Sequence, residues 1–200
     1  YYELRINGEK VGHNVLDPAW TTYEKRVLYS TYDVTPYFQR GANALGVMLG
    51  GGWATLYVNA KLPGVYRSPA LLLQISLELE GGKQLTVASD ASWKTSHGPI
   101  VSDSIFNGEV YDARRELPGW DGPGFDASAW SAAKVMEGTK GILSAQMMPP
   151  IRVVDSMVPV SLSNPQPGVY VYDLGQNFSG WAKLRVNGPA GAAVQMRFSE

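Results

Sequence analysis

The strongest constraint on this chain is its rhythm: short runs in which apolar and polar residues alternate, each closed within a few residues by glycine or proline. Alternation at period two puts every second side chain on the same side of an extended strand, so one face is dry and the other wet. Ile75-Ser76-Leu77-Glu78-Leu79-Glu80, then Gly81-Gly82, then Lys83-Gln84-Leu85-Thr86-Val87 predicts a hairpin on this ground. The opening Tyr1-Tyr2-Glu3-Leu4-Arg5-Ile6, followed by Asn7-Gly8 and Glu9-Lys10-Val11, predicts another, because Asn-Gly takes the positive φ angles of a type I′ turn. A third is expected from Trp181–Val186 and Val194–Phe198 across Asn187-Gly188-Pro189-Ala190-Gly191. Helix is expected only as single turns at Thr35-Pro36-Tyr37-Phe38 and Asp126-Ala127-Ser128-Ala129-Trp130, where Thr or Asp caps the first turn and Pro36 suits its opening.

With no strand–helix–strand alternation the reading is all-β, a two-sheet sandwich of jelly-roll type. The pattern pauses at Ala145-Gln146-Met147-Met148-Pro149-Pro150 and again at Asn164-Pro165-Gln166-Pro167-Gly168. Residues 1–148 are therefore expected to form the jelly-roll β-sandwich, and residues 149–200 the truncated start of a second β-sandwich, since the strand pattern still runs at Arg197-Phe198-Ser199-Glu200.

Composition narrows the function. Hydrophobic residues at 44% and charged residues at 18% describe a globular chain. Seventeen Lys and Arg against 18 Asp and Glu leave a net charge of −1 with no basic cluster, which disfavours nucleic acid and anionic membrane as partners. The chain has no cysteine, so disulfides, thiolate nucleophiles and cysteine-ligated zinc are excluded together. No apolar run approaches the roughly 18 residues of a membrane span. His13 and His97 are the only histidines, and each reads as an ordinary polar loop residue. There is no Gly-x-Ser-x-Gly. Gly50-Gly51-Gly52-Trp53 lacks the lysine and helix of a phosphate loop, and reads either as a tight turn under Trp53 or as a place where a ligand meets backbone and indole together.

The densest polar cluster runs from Asn107 to Glu116. In an extended strand Glu109 and Tyr111 face one way and Val110, Asp112 and Arg114 the other, so the two carboxylates need not converge. Glycoside hydrolysis asks for two carboxyls about 5–10 Å apart, and no catalytic residue is assigned on this spacing. Two other readings remain: a brace in which Arg114 forks onto a carboxylate, and oxygen ligation of Ca²⁺ or a sugar by Asn107, Glu109 and Asp112. Asp90-Ala91-Ser92-Trp93 and Asp126-Ala127-Ser128-Ala129-Trp130 echo one another, each suited to a side-chain-braced turn that sends its Trp back towards the core. Six Trp and eleven Tyr are nonetheless a rich supply of flat faces, on which the C–H faces of pyranose rings stack. Sugar-binding candidates are Trp53, Asn107, Glu109, Asp112 and Arg114.

Several segments, taken in order, resemble the N-terminal region of bacterial α-L-rhamnosidases of glycoside hydrolase family 78. They are Tyr2-Glu3-Leu4-Arg5-Ile6-Asn7-Gly8, Leu16-Asp17-Pro18-Ala19-Trp20-Thr21, Tyr32-Asp33-Val34-Thr35, Leu49-Gly50-Gly51-Gly52-Trp53, Gly108-Glu109-Val110-Tyr111-Asp112-Ala113-Arg114 and Gly175-Gln176-Asn177-Phe178-Ser179-Gly180-Trp181. The resemblance implies a jelly-roll sandwich followed by a second one from about Pro149. It places the chemistry farther on, in an (α/α)₆ barrel whose two acids hydrolyse terminal α-L-rhamnosides with inversion. By that reading this stretch is non-catalytic, needs no cofactor, and has the downstream catalytic domain and a rhamnose-containing glycan or glycoside as its partners. Relatives in which an N-terminal sandwich binds L-rhamnose with Ca²⁺ make that ion a candidate ligand. The chain departs from the pattern at Gly12-His13-Asn14, where an acid usually follows the glycine, and at Ala54, where an aromatic often follows the tryptophan. The alternative is a free-standing lectin-like carbohydrate-binding module.

Overall fold

The first hairpin forms where Asn-Gly places it. In the computed structural model, which describes residues 1–55 and 68–199, Asn7 and Gly8 have φ of 53° and 85° and join β1 (Tyr2–Ile6) to β2 (Glu9–Lys10). The strands that follow are β3 (Asn14–Val15), β4 (Arg26–Tyr29), β5 (Leu45–Leu49), β6 (Gln74–Glu78), β7 (Gln84–Ala88), β8 (Lys94–Thr95), β9 (Ile100–Ser104) and β10 (Gly108–Tyr111). β11 (Ser131–Ala132), β12 (Ile142–Ala145), β13 (Ile151–Arg152), β14 (Ser161–Gln166) and β15 (Val169–Asp173) complete the described strands. The only helical pieces among the described residues are single 3₁₀ turns at Thr35–Tyr37, Trp53–Thr55 and Ala113–Arg115. The fold is all-β, of the β-sandwich class that the alternation predicts.

β1 runs between β2 and β5, with Leu4 opposite Val47 and Ile6 opposite Leu45. Its alternation is expressed as burial: Leu4 and Ile6 lie in the core with Val11, and Ile6 has no exposed surface at all. Burying each such side chain contributes about 1.5–3 kcal/mol. The other face of β1 carries Glu3 and Arg5. Arg5 pairs its Nε with Asp121, its Nη1 with Glu3 at 2.9 Å, and donates from Nη2 to the Gly8 carbonyl at 2.7 Å. Asn7 ties the turn down, donating to the Tyr37 carbonyl and accepting from the Ala44 N–H, both at 2.9 Å.

β6 and β7 form the second hairpin. Ile75 faces Val87 and Leu77 faces Leu85 on one side, Ser76 faces Thr86 on the other, and Gly81 and Gly82 both take positive φ in the turn. Two long-range pairings close the first part of the chain: β4 runs parallel to β12, and β3 antiparallel to β13. Because β13 is held by β3, residues 151 and 152 belong with the first of the two compact units, Tyr1–Arg152 and Val153–Glu200.

Three expectations about elements are corrected. Asp126–Trp130 is not a helical turn: Asp126 accepts the Ser128 N–H at 2.9 Å and the Ala127 carbonyl accepts the Trp130 N–H at 3.0 Å, a side-chain-braced β-turn with no continuing helical ladder. Asn164-Pro165-Gln166 does not interrupt a strand but lies in β14, whose pairing with β15 shifts register between Ser163 and Gln166, as a proline within a ladder requires. The third hairpin has its turn, with the Ala192 N–H on the Pro189 carbonyl, but no strand is assigned on either arm among the described residues. Its apolar residues are packed against no layer of the described residues: no described residue of Val153–Ser199 is buried, and two strands alone are marginal in water.

Asp17 is buried in the first unit, and its Oδ2 accepts from Asn14 Nδ2 at 2.7 Å, Ser30 Oγ at 2.7 Å and Tyr32 Oη at 3.0 Å. Burial pushes the Tyr32 phenol well above its ordinary range, with Tyr2 and Asp17 adding to the shift, so it stays a donor at neutral pH. The chain turns here, with Leu16 in the left-handed region at φ 56° and a cis Asp17–Pro18 bond, and delivers Trp20 to the surface.

Candidate functional site

Trp53 opens the 3₁₀ turn Trp53–Thr55 directly after Gly50-Gly51-Gly52. The glycines are needed for room rather than for left-handed backbone. The carboxylate of Asp103, on β9, lies over this turn and accepts the Gly51 N–H. A Cβ on Gly51 would come within 3.0 Å of Asp103 Oδ2, and one on Gly52 within 3.2 Å of the Tyr1 nitrogen. The Gly52 N–H donates to Thr55 Oγ1 at 3.1 Å, which closes the turn beneath the indole.

On this base stands a chain of three rings. Trp53 stacks on Trp20 with centroids 4.8 Å apart and planes 18° from parallel, and meets Phe106 edge-on at 6.1 Å and 87°. Trp53 is half-buried, whereas Trp20 is 62% exposed and Phe106 65%. Tyr1 and Tyr23 are also half-buried; burial pushes the Tyr23 phenol up to about 12 and raises that of Tyr1, the latter partly offset by Trp53.

Phe106 and Asn107 sit in the turn between β9 and β10, both backbone N–H groups on Ser104 Oγ at 3.3 Å. The antiparallel register then sets Glu109 opposite Asp103, so the two carboxylates share one face of the ribbon. That face is exposed surface, not a cleft. Among the described residues the side chains of Asn107 and Glu109 make no hydrogen bond or ion pair.

Asp112 and Arg114 form a separate arrangement. Asp112 caps Ala113–Arg115 by accepting the Arg114 N–H at 3.1 Å, and the Arg114 guanidinium forks onto both its oxygens, Nε at 2.8 Å and Nη2 at 2.7 Å. This fork holds the Asp112 carboxyl down at about 2. Beside it Tyr111 Oη donates to Glu116 at 2.6 Å, which raises the phenol to about 12. Of the five candidate residues, then, Trp53 meets Phe106, the residue before Asn107, Glu109 lies opposite Asp103, which accepts the Gly51 N–H, and Asp112 and Arg114 engage each other.

The donors Asn107, Glu109 and Asp112 do not fit a Ca²⁺ site as they stand. Both oxygens of Asp112 are taken, and among the described residues no three His, Cys, Asp or Glu side chains gather to hold a metal ion. His13 is an exposed loop residue. His97, also exposed, borders a groove of about 250 Å³ with Thr95, Ser96, Ala129 and Ser131. The two echoing turns are half-buried at Trp93 and Trp130; Trp93 returns its indole N–H to the Ala88 carbonyl at 3.1 Å, and Trp130 meets Phe125 at 5.5 Å. Among the described residues no helix is long and apolar enough to cross a membrane.

Sequence reasoning missed Trp20, Phe106 and Asp103. The available signal was the glycine triplet: a backbone that cannot carry side chains is approached closely by something, here Asp103.

Two family models match the chain: the α-L-rhamnosidase N-terminal domain over residues 1–155 and the bacterial α-L-rhamnosidase concanavalin-like domain over residues 163–200. The chain is 42% identical over its whole length to an α-L-rhamnosidase of Streptomyces avermitilis and 36% to one of Formosa agariphila. It spans 20% and 22% of those two proteins. Among solved structures, an α-L-rhamnosidase from Dictyoglumus thermophilum superposes with a TM-score of 0.81 at 44% identity, over 88% of this chain and 19% of that one. The Streptomyces avermitilis enzyme complexed with L-rhamnose superposes equally well, at 42% identity, over 88% of this chain and 17% of that one.

Proposed function

The chain belongs to the α-L-rhamnosidase family, and from that premise we propose that it is the β-sandwich portion of a glycoside hydrolase acting on terminal α-L-rhamnosides, without bond-breaking residues of its own. The observation that carries the proposal is the combination of full coverage of this chain with coverage of about a fifth of the relatives. Two domain models in the same order support it. The carboxylates that do share a face, Asp103 and Glu109, are both exposed and are not enclosed in a cleft by the described residues, whereas glycoside hydrolysis asks for two carboxyls flanking one bound bond.

The role so assigned is to support an (α/α)₆ catalytic barrel elsewhere in the parent protein, with inversion at the anomeric carbon as that barrel's chemistry. A secondary role is contact with a rhamnose-containing glycan or glycoside through Trp53, with Asn107 and Glu109 as polar partners and Asp112 and Arg114 bracing the strand behind them. The test is direct: the purified 200-residue chain leaves p-nitrophenyl α-L-rhamnoside intact, and the full-length parent hydrolyses it with release of the inverted sugar. Turnover by the short chain that disappears in Glu109→Gln would overturn the division of labour. A parent that ends without a catalytic domain would favour the free-standing lectin-like module instead.

A further inference from the structure

We propose that the chain carries two sites of spontaneous self-modification, Asn187-Gly188 and Asn107-Gly108, at which asparagine converts to aspartate and isoaspartate, and that the fold withholds the third Asn-Gly pair, Asn7-Gly8, from the same reaction. Neither site depends on the activity assigned above.

Asparagine is thermolabile because its own backbone can attack it. The nitrogen of the following residue gives up its proton to solvent base and bonds to the side-chain Cγ, and ammonia leaves. Water then opens the resulting succinimide: addition at Cγ restores the ordinary main chain as aspartate, and addition at the backbone carbonyl leaves the chain running through Cγ as isoaspartate. The sum consumes one water and releases one ammonia. A following glycine favours the closure, since no Cβ shields its nitrogen and its backbone reaches geometries closed to other residues. Two further conditions decide the rate. The amide must be free to turn its Cγ towards that nitrogen, and the nitrogen must not be held by an acceptor.

The sequence holds three Asn-Gly pairs, and the structure treats them differently. Asn7 is half-buried; its Nδ2 donates to the Tyr37 carbonyl at 2.9 Å and to Asn43 Oδ1 at 2.7 Å, and its Oδ1 accepts the Ala44 N–H at 2.9 Å. The nucleophile is held as well, because the Gly8 N–H donates to the Asp121 carbonyl at 2.9 Å. Ring closure there must break both sets of bonds at once. Asn187 is the opposite case: it is exposed, and among the described residues neither its side chain nor the Gly188 N–H makes a hydrogen bond. Asn107 lies between the two. Its side chain is exposed and makes no hydrogen bond among the described residues, while Gly108 starts β10 opposite Ser104, so the main chain must fray at the ribbon end before the ring closes. Conversion of Asn107 adds a negative charge to the turn that carries Phe106 and, in the isoaspartate form, a methylene to its main chain.

The folded 200-residue chain is incubated in warm, mildly alkaline buffer, and each Asn-Gly peptide is followed by mass spectrometry after digestion at acid pH, with isoaspartyl methyltransferase labelling to measure isoaspartate. Asn187 is expected to convert first and Asn107 next, each conversion adding one negative charge to a chain of net −1 and so a more acidic band in isoelectric focusing. Asn7 is expected to lag Asn187 by about tenfold or more. In urea, which frees all three, the rates should draw together. Asn187→Gln and Asn107→Gln, both at exposed positions, should each remove one acidic species. An Asn107 or Asn187 that stays intact in the folded chain, an Asn7 that converts as fast as they do, or an Asn7 that stays slow in urea overturns the assignment.

Discussion

Asp112 illustrates how a side chain suited to ligand binding is spent on local order. Its carboxylate accepts one backbone and two guanidinium N–H groups from Arg114, and the charge-assisted fork holds its pKa at about 2, below the ordinary 3.8. A depressed folded-state pKa gives an interaction that is fully present above 3.8 and lost as pH falls through about 2. The Arg114 Nε–H resonance should therefore shift in a single acid transition centred near pH 2, and Asp112→Asn should abolish it; a midpoint near 4 would show that the fork does not persist in solution. The Arg114 brace was legible in sequence because an acid two residues before an arginine, at a strand end, has few other ways to be satisfied. Trp20 was not legible: its partner Trp53 lies 33 positions away, and nothing in Pro18-Ala19-Trp20 announces a stack.

At the scale of elements, legibility follows how local the determinant is. Asn7-Gly8 specifies its own turn, since both residues tolerate positive φ where others are strained, and the structure places both there. Gly8→Ala should lower stability by about 1 kcal/mol in urea denaturation, because φ at this position is 85° and no nearby atom obstructs a methyl group, so the cost is backbone strain alone. An unchanged midpoint would mean that the turn relaxes to another type. Residues 181–198 carry an equally regular alternation and yet form no ladder among the described residues. Period two says which faces a strand would have, but a strand also needs a layer to receive the apolar one. The parallel union of β4 with β12 was invisible for a different reason: no local pattern encodes a partner more than a hundred residues away.

For the molecule as a whole, the two units differ sharply in what holds them. Tyr1–Arg152 contains every buried residue of the described chain, including Ile6, Leu28 and Ile75. In Val153–Ser199 Met157 and Leu174 are the most sheltered side chains, and both are only half-buried. Among the described residues, limited proteolysis should accordingly cut first beyond Arg152. A first cut inside residues 69–150 would contradict this ranking.

The pairing of Asn14–Val15 with Ile151–Arg152, and of Arg26–Tyr29 with Ile142–Ala145, also sets an order of events during synthesis. Both early segments leave the ribosome with their hydrogen-bonding edges unanswered and wait there until nearly the whole first unit has been translated. The amino-terminal hairpin can close as soon as it emerges, whereas those two edges are sealed last. A ribosome stalled before it adds Ile142 would thus carry a nascent chain with a made turn and an open flank, the form in which this stretch is most exposed to chaperones and to pairing with its neighbours.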